Sequence, residues 1–92
     1  MGRMNNGNIV KSRDYLFNLR IERNLSQYEV AKRLGYPQFE YGKIENGTKG
    51  HLMNALRLKA LAQVFNVDVV YIIDEEAKYL EKIRELNHKE RW

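Results

Sequence analysis

Gln27-Tyr28-Glu29-Val30-Ala31-Lys32-Arg33-Leu34-Gly35-Tyr36-Pro37-Gln38-Phe39-Glu40-Tyr41-Gly42-Lys43-Ile44-Glu45-Asn46 reads as two short helices joined by a tight turn. Ser26 just ahead of it is a good N-cap, and Glu29 three residues later completes a capping box. Val30, Ala31 and Leu34 share one face of the first helix. Gly35 stops that helix, because glycine enters the left-handed conformation without a Cβ clash. Pro37 opens the second helix, where a missing N–H costs nothing. Tyr36, Tyr41 and Ile44 point inward, and Asn46-Gly47 closes the unit. Two helices that cross steeply need a small side chain where their backbones meet, and Ala31 supplies it. Lys32, Arg33, Gln38, Glu40, Lys43 and Asn46 alternate with these positions and face outward. This is the logic of a helix-turn-helix.

The flanking chain is also helical in pattern. Residues 11–24 carry Tyr15, Leu16 and Leu19 with the long stem of Arg23, and Phe17 and Ile21 widen that stripe. Asn24 is suited to end this helix in the left-handed region, and Leu25 then turns inward. Leu52–Phe65 is the most apolar segment and reads as the centre of the core, with Asn66 as its C-cap. Asp68 caps a helix over Val69–Ile73, although Val-Asp-Val-Val-Tyr-Ile-Ile also fits a strand. Helix is preferred because a lone strand would have no partner. Asp74 then caps a last helix reaching about Glu90, with Glu75 and Glu76 in its first turn. The expected architecture is all-α: a polar arm (1–10), a helical domain (11–73) and a C-terminal helix (74–92).

Charge narrows the partner. The net +4 is uneven: residues 1–66 carry eleven Lys/Arg against five acids, and residues 67–92 carry five against seven. A basic module with a mildly acidic end suits a polyanion. The chain has no cysteine and no ligand-spaced cluster around His51 or His88, so no metal or other cofactor is expected. No Ser/Cys–His–acid set, phosphate loop or paired carboxylates point to an enzyme. No apolar run is long enough to span a membrane, and the first eight residues lack a signal-peptide core. The expected location is the cytoplasm, at the nucleoid.

The residues Leu25-Ser26-Gln27, Val30-Ala31, Leu34-Gly35, Ile44-Glu45-Asn46-Gly47, Leu61-Ala62 and Phe65-Asn66-Val67 give the segment from about 12 to 73 a family shape. It resembles the lambda repressor-like, Cro/C1-type (XRE) helix-turn-helix domain. The resemblance implies a five-helix globule, here with an additional C-terminal helix, that binds operator DNA as a two-fold dimer. It places Gln27 at a phosphate, and the turn from Asn46 through Lys49 on the DNA backbone. It sets Gln38, Phe39 and Lys43 toward base edges. It also makes Arg20 and Glu45 a structural ion pair.

Side-chain chemistry agrees with these roles. Glutamine pairs bidentately with adenine, lysine donates to guanine, and an aromatic ring can lie on a thymine methyl. Gln27, Arg23 and Lys49 would position the domain without reading sequence. Each residue has a plainer alternative. Gln38 and Lys43 also suit a solvated helix face, Phe39 a core or protein-contact position, Gln27 a helix start, and His51 a simple loop. Arg57 and Lys59 fit either solvent or the DNA backbone. Pro37, Glu40 and Gly42 depart from the family pattern. Gly42 either lets the DNA backbone approach or is merely tolerated.

Beyond residue 74, Ala77, Leu80, Ile83 and Leu86 recur with Tyr79 beside them. Tyr79, Leu80, Ile83 and Leu86 therefore form a possible dimer interface, or fold back on their own domain. Trp92 and Arg3 are further candidates for partner and phosphate contact. The expected function is a transcriptional regulator, a repressor as its small size favours, that binds a palindromic site on double-stranded DNA as a homodimer. The alternative is an antitoxin-like or protein-interaction module that reuses the fold with a protein partner.

Overall fold

A computed structural model describes residues 11–49 and 52–90. The arm with Arg3, the loop residue His51 and the terminal Trp92 lie outside the described residues. Among the described residues five helices follow one another: α1 (Asp14–Glu22), α2 (Gln27–Leu34), α3 (Gln38–Asn46), α4 (Ala55–Phe65) and α5 (Val69–Glu90). The described residues contain no strand, so the β-rich run at 67–73 is helical.

Local chemistry explains the boundaries. Asn24 and Asn66 take φ +55° and close the ends of α1 and α4. At α2, Ser26 Oγ accepts from Glu29 N at 3.0 Å while Glu29 Oε1 accepts from Ser26 N at 2.8 Å. Gly35 (φ +76°) and Gly47 (φ +85°) end α2 and α3 in the left-handed region. Pro37 stands at the N-cap of α3 rather than inside its first turn. Asp68 Oδ1 accepts from Val70 N and starts α5.

Tyr15, Leu16, Leu19, Leu25, Val30, Ala31, Tyr41, Ile44, Leu61, Ala62, Phe65 and Ile72 form one buried core. α2 packs on α3 and α4, α4 packs on α5, and α1 touches α3.

Three expectations need correction. First, Asp74 caps nothing: α5 runs unbroken from Val69 through Glu90, so the fifth and additional C-terminal helices are one. Glu75 and Glu76 thus lie well past its start. Second, α4 begins three residues later than expected, because Asn54 Oδ1 accepts from Arg57 N at 2.9 Å. Its inward face is Leu58, Leu61, Ala62 and Phe65, at i, i+3, i+4 and i+7. Leu52 and Leu56 fall off that face and are 85% and 77% exposed. Third, Phe17 and Ile21 do not widen the buried stripe of α1 but are about half exposed. Phe17 instead carries the Arg20 guanidinium over its ring at 5.3 Å.

Candidate nucleic-acid interface

α3 is divided lengthwise. Tyr41, Gly42, Ile44 and Glu45 are buried, whereas Gln38, Phe39, Lys43 and Asn46 are exposed. The helix period puts Phe39, Lys43 and Asn46 on one outer face, with Gln38 at its leading end. Phe39 is 73% exposed, so it is not a core residue.

The buried side fixes how that face is presented. Ala31 and Val30 of α2 are buried in the core, while Leu34 and Tyr36 pack on its margin. Arg57 Nε donates to Tyr36 Oη at 2.7 Å, which turns Arg57 toward its own domain. Arg20 makes a fork with Glu45: Nε to Oε1 and Nη2 to Oε2, both 2.9 Å. Its Nη1 also donates to the Leu25 carbonyl. The hydrogen bonds to Glu45, then its charge, raise the Arg20 pKa against the opposing effect of burial. One guanidinium thereby joins α1, the turn into α2 and the end of α3.

Gln27 is half-buried at the start of α2 and lies over Gly42. Gly42 therefore makes room for a side chain of its own domain rather than for DNA backbone. Glu40, unwelcome near phosphate when unpaired, accepts a 3.0 Å hydrogen bond from Lys49 Nζ. Lys49, a candidate phosphate contact, follows α3 and reaches back to Glu40 in its first turn, with half its side chain still exposed.

Arg23 is turned elsewhere. Its Nε donates to the Phe65 carbonyl at 2.7 Å and its Nη1 to the Leu19 carbonyl at 3.0 Å. It caps the negative end of α4, with about a third of its side chain still exposed (31%).

Tyr79 is half-buried and engaged within its own domain. It donates to the Lys11 carbonyl at 2.7 Å, and its ring carries the Arg13 guanidinium at 4.4 Å. Leu80, Ile83 and Leu86 are half-buried further along α5, and Ala77 is exposed.

The largest feature missing from the sequence reading is a buried ion pair. Arg13 gives Nε and Nη2 to Glu76 Oε1 and Oε2 at 2.9 and 2.8 Å. Tyr15 Oη donates to the same carboxylate at 2.7 Å. Burial works against the Arg13 charge, but the Glu76 hydrogen bonds and charge outweigh it and raise its pKa. Burial, then the bond to Glu76, also pushes the Tyr15 hydroxyl far up. A signal was available: Glu76 follows Ile72 by one helical turn, and an acid on an inward stripe requires a buried cation.

The helix-turn-helix family model of the Cro/C1 (XRE) type matches residues 16–72. The chain belongs to this family of DNA-binding domains, and its fold is the lambda repressor-like one. It is a DNA-binding regulator of the XRE type. No curated protein and no solved structure matches the chain significantly. Among the described residues, no helix is long and apolar enough to cross a membrane.

Proposed function

We propose that this regulator is a sequence-specific repressor that binds a palindromic operator as a homodimer, acting at the nucleoid. The lengthwise division of α3 carries the reading, because Gln38, Phe39, Lys43 and Asn46 are exposed together while the rest of the helix is clamped. Gln38 and Lys43 pair with base edges, and Phe39 covers a thymine methyl. Gln27, Asn46 and the turn through Lys49 hold phosphates. With Lys49 shared with Glu40, and the Gly47, Thr48 and Lys49 amides donating to the Ile44 and Lys43 carbonyls, the Asn46 side chain bears more of that load.

Dimerisation is supported by apolar groups that the single chain leaves partly open: Leu80, Ile83 and Leu86, with Tyr71 and Ile73 near the start of α5. Two copies would set their α3 helices about 34 Å apart on successive major grooves. Occlusion of a promoter by such a dimer gives repression without a further domain. The exposed Phe39 also favours a second reading, in which α3 docks on a protein partner as in an antitoxin-like module.

Selection from a random duplex pool, followed by anisotropy titration at two salt concentrations, tests the proposal. A palindromic site and salt-sensitive binding are expected. Gln38→Ala and Lys43→Ala should each reduce discrimination by about 1–3 kcal/mol and spare nonspecific binding. Equal losses on all sequences would remove their base-reading role. Absence of salt-sensitive binding would leave the protein-docking reading, and a monomer in sedimentation with an asymmetric site would overturn the dimer.

A further inference from the structure

The end of α3 is held from outside the helix-turn-helix. Residues 11–13 form a short strap between α3 and α5. Arg13 N donates to the Glu45 carbonyl at 2.8 Å. Arg13 Nη1 donates to the carbonyls of Ile44 at 2.8 Å and Lys49 at 3.1 Å. The other edge of the guanidinium is gripped by Glu76 on α5. Tyr79, one turn further along α5, holds the Lys11 carbonyl. The strap passes so close to Gly47 that a Cβ there would collide with the Lys11 carbonyl oxygen and crowd the Tyr79 hydroxyl.

The three carbonyls that Arg13 gathers belong to the last turn of α3 and to the loop after it. The Ile44 and Glu45 carbonyls are at the negative end of the helix dipole, where a buried cation is favoured. Thr48 N and Lys49 N both return to the Lys43 carbonyl, so the loop is folded tightly beneath α3. The height of this turn against a DNA backbone is therefore set by Arg13, and the place of Arg13 is set by Glu76.

We propose that Arg13 and Glu76 are positioning residues for DNA binding: α5, through this pair, fixes the turn from Asn46 through Lys49 in its phosphate-holding position. The inference rests on the DNA-binding reading above and adds to it a dependence of phosphate contact on a helix that touches no DNA. It also makes the proximal half of α5 part of the binding module.

Glu76→Gln keeps the shape of the side chain and removes the charge. Tyr79→Phe is the milder variant, since it removes only the bond to the strap. Two quantities are read well below the melting temperature: amide hydrogen exchange of Gly47–Lys49, and dissociation constants on the selected site and on a random duplex, corrected for active fraction. Glu76→Gln is expected to speed exchange at these amides. It should also weaken both duplexes by the same factor, about tenfold, and lower the salt slope by about one. Tyr79→Phe should do the same by about threefold.

A lower melting temperature with unchanged dissociation constants and salt slope would mean a merely structural pair, and would overturn the inference. Unchanged amide exchange in Tyr79→Phe and in any folded Glu76→Gln protein would also overturn it, whatever happens to DNA. Loss confined to the selected site would move the effect from phosphate to base contact and defeat the proposal. If the wild-type chain bound no duplex, the DNA-binding reading would fail, and faster exchange in the variants would retain only the coupling of α5 to α3.

Discussion

Gly42 lies beneath the side chain of Gln27, and a methyl group at residue 42 would stand 3.0 Å from Gln27 Oε1. The glycine in the recognition helix thus serves the first helix of the motif. Gly42→Ala adds helix propensity of about 1 kcal/mol, and the crowded atom is the free end of a flexible side chain. The variant should melt higher while binding DNA several-fold less well, because Gln27 is displaced from the phosphate-contacting position proposed for it. Thermal unfolding and anisotropy titration of the same preparation check both halves. Unchanged affinity would show that Gln27 does not depend on this seat.

Glu45→Gln should be strongly destabilising. The fork with Arg20 is nearly buried, with side chains 11% and 5% exposed. Loss of one partner leaves a buried guanidinium uncompensated, at a cost of about 3 kcal/mol or more. Urea unfolding measures this directly, and a change under about 1 kcal/mol would show a pair already solvated.

Tyr41 and Tyr15 should respond oppositely to removal of their hydroxyls. Among the described residues, the buried Tyr41 hydroxyl has no hydrogen-bond partner. Burial, then the nearby Glu45 charge, pushes its pKa far up. Tyr41→Phe should be neutral or stabilising by up to about 1 kcal/mol, and Tyr15→Phe, which loses the bond to Glu76, destabilising by about 1–2 kcal/mol. Both hydroxyls have raised folded pKa values, so their contribution is full below the ordinary tyrosine pKa of 10.0 and fades as pH rises through the folded values. In a spectrophotometric titration these two tyrosines should ionise only with alkaline unfolding.

Glu29 gives acid sensitivity to the start of α2. The Ser26 N–H, followed by its hydroxyl, lowers the Glu29 pKa below its ordinary 4.5. A depressed carboxyl stabilises the fold above its unfolded pKa and loses that contribution as pH falls through the folded one. Stability should therefore decline below about pH 4.5 in part through this group, and Glu29→Gln should flatten that part of the profile. Carbon-detected titration of the Glu29 carboxyl offers an independent check; an ordinary midpoint would contradict the capping role.

Glu40 restrains Lys49. Glu40→Gln removes a negative charge from the first turn of α3 and releases Lys49 Nζ from its 3.0 Å bond. Binding to all duplexes should tighten, and the salt slope should steepen by about one. A slope that did not move would place Lys49 away from phosphate even when free.

Much of the motif was legible because its determinants are local. Ser26 with Glu29, Gly35, Asn24 and Asn66 act within one turn of chain, and each performs the task its type implies. The outward positions of Gln38, Lys43 and Asn46 followed from helical period, whereas Phe39 was set outward only by the family resemblance and its exposure came from the fold. Leu52, Leu56, Phe17 and Ile21 misled because an apolar residue does not declare which side of its helix meets the core. Asp74 misled because a good cap residue is also a tolerable helix residue.

The chain by itself determined that residues 27–46 are two helices around a left-handed glycine, since turn chemistry and side-chain period are properties of neighbours in sequence. Only tertiary structure decided how that pair is held and which cations remain for DNA. Arg13 meets Glu76 sixty-three residues away, Arg23 meets the end of α4, and Lys49 meets Glu40. A long cationic side chain reaches several acceptors, and its choice depends on which of them folding buries nearby.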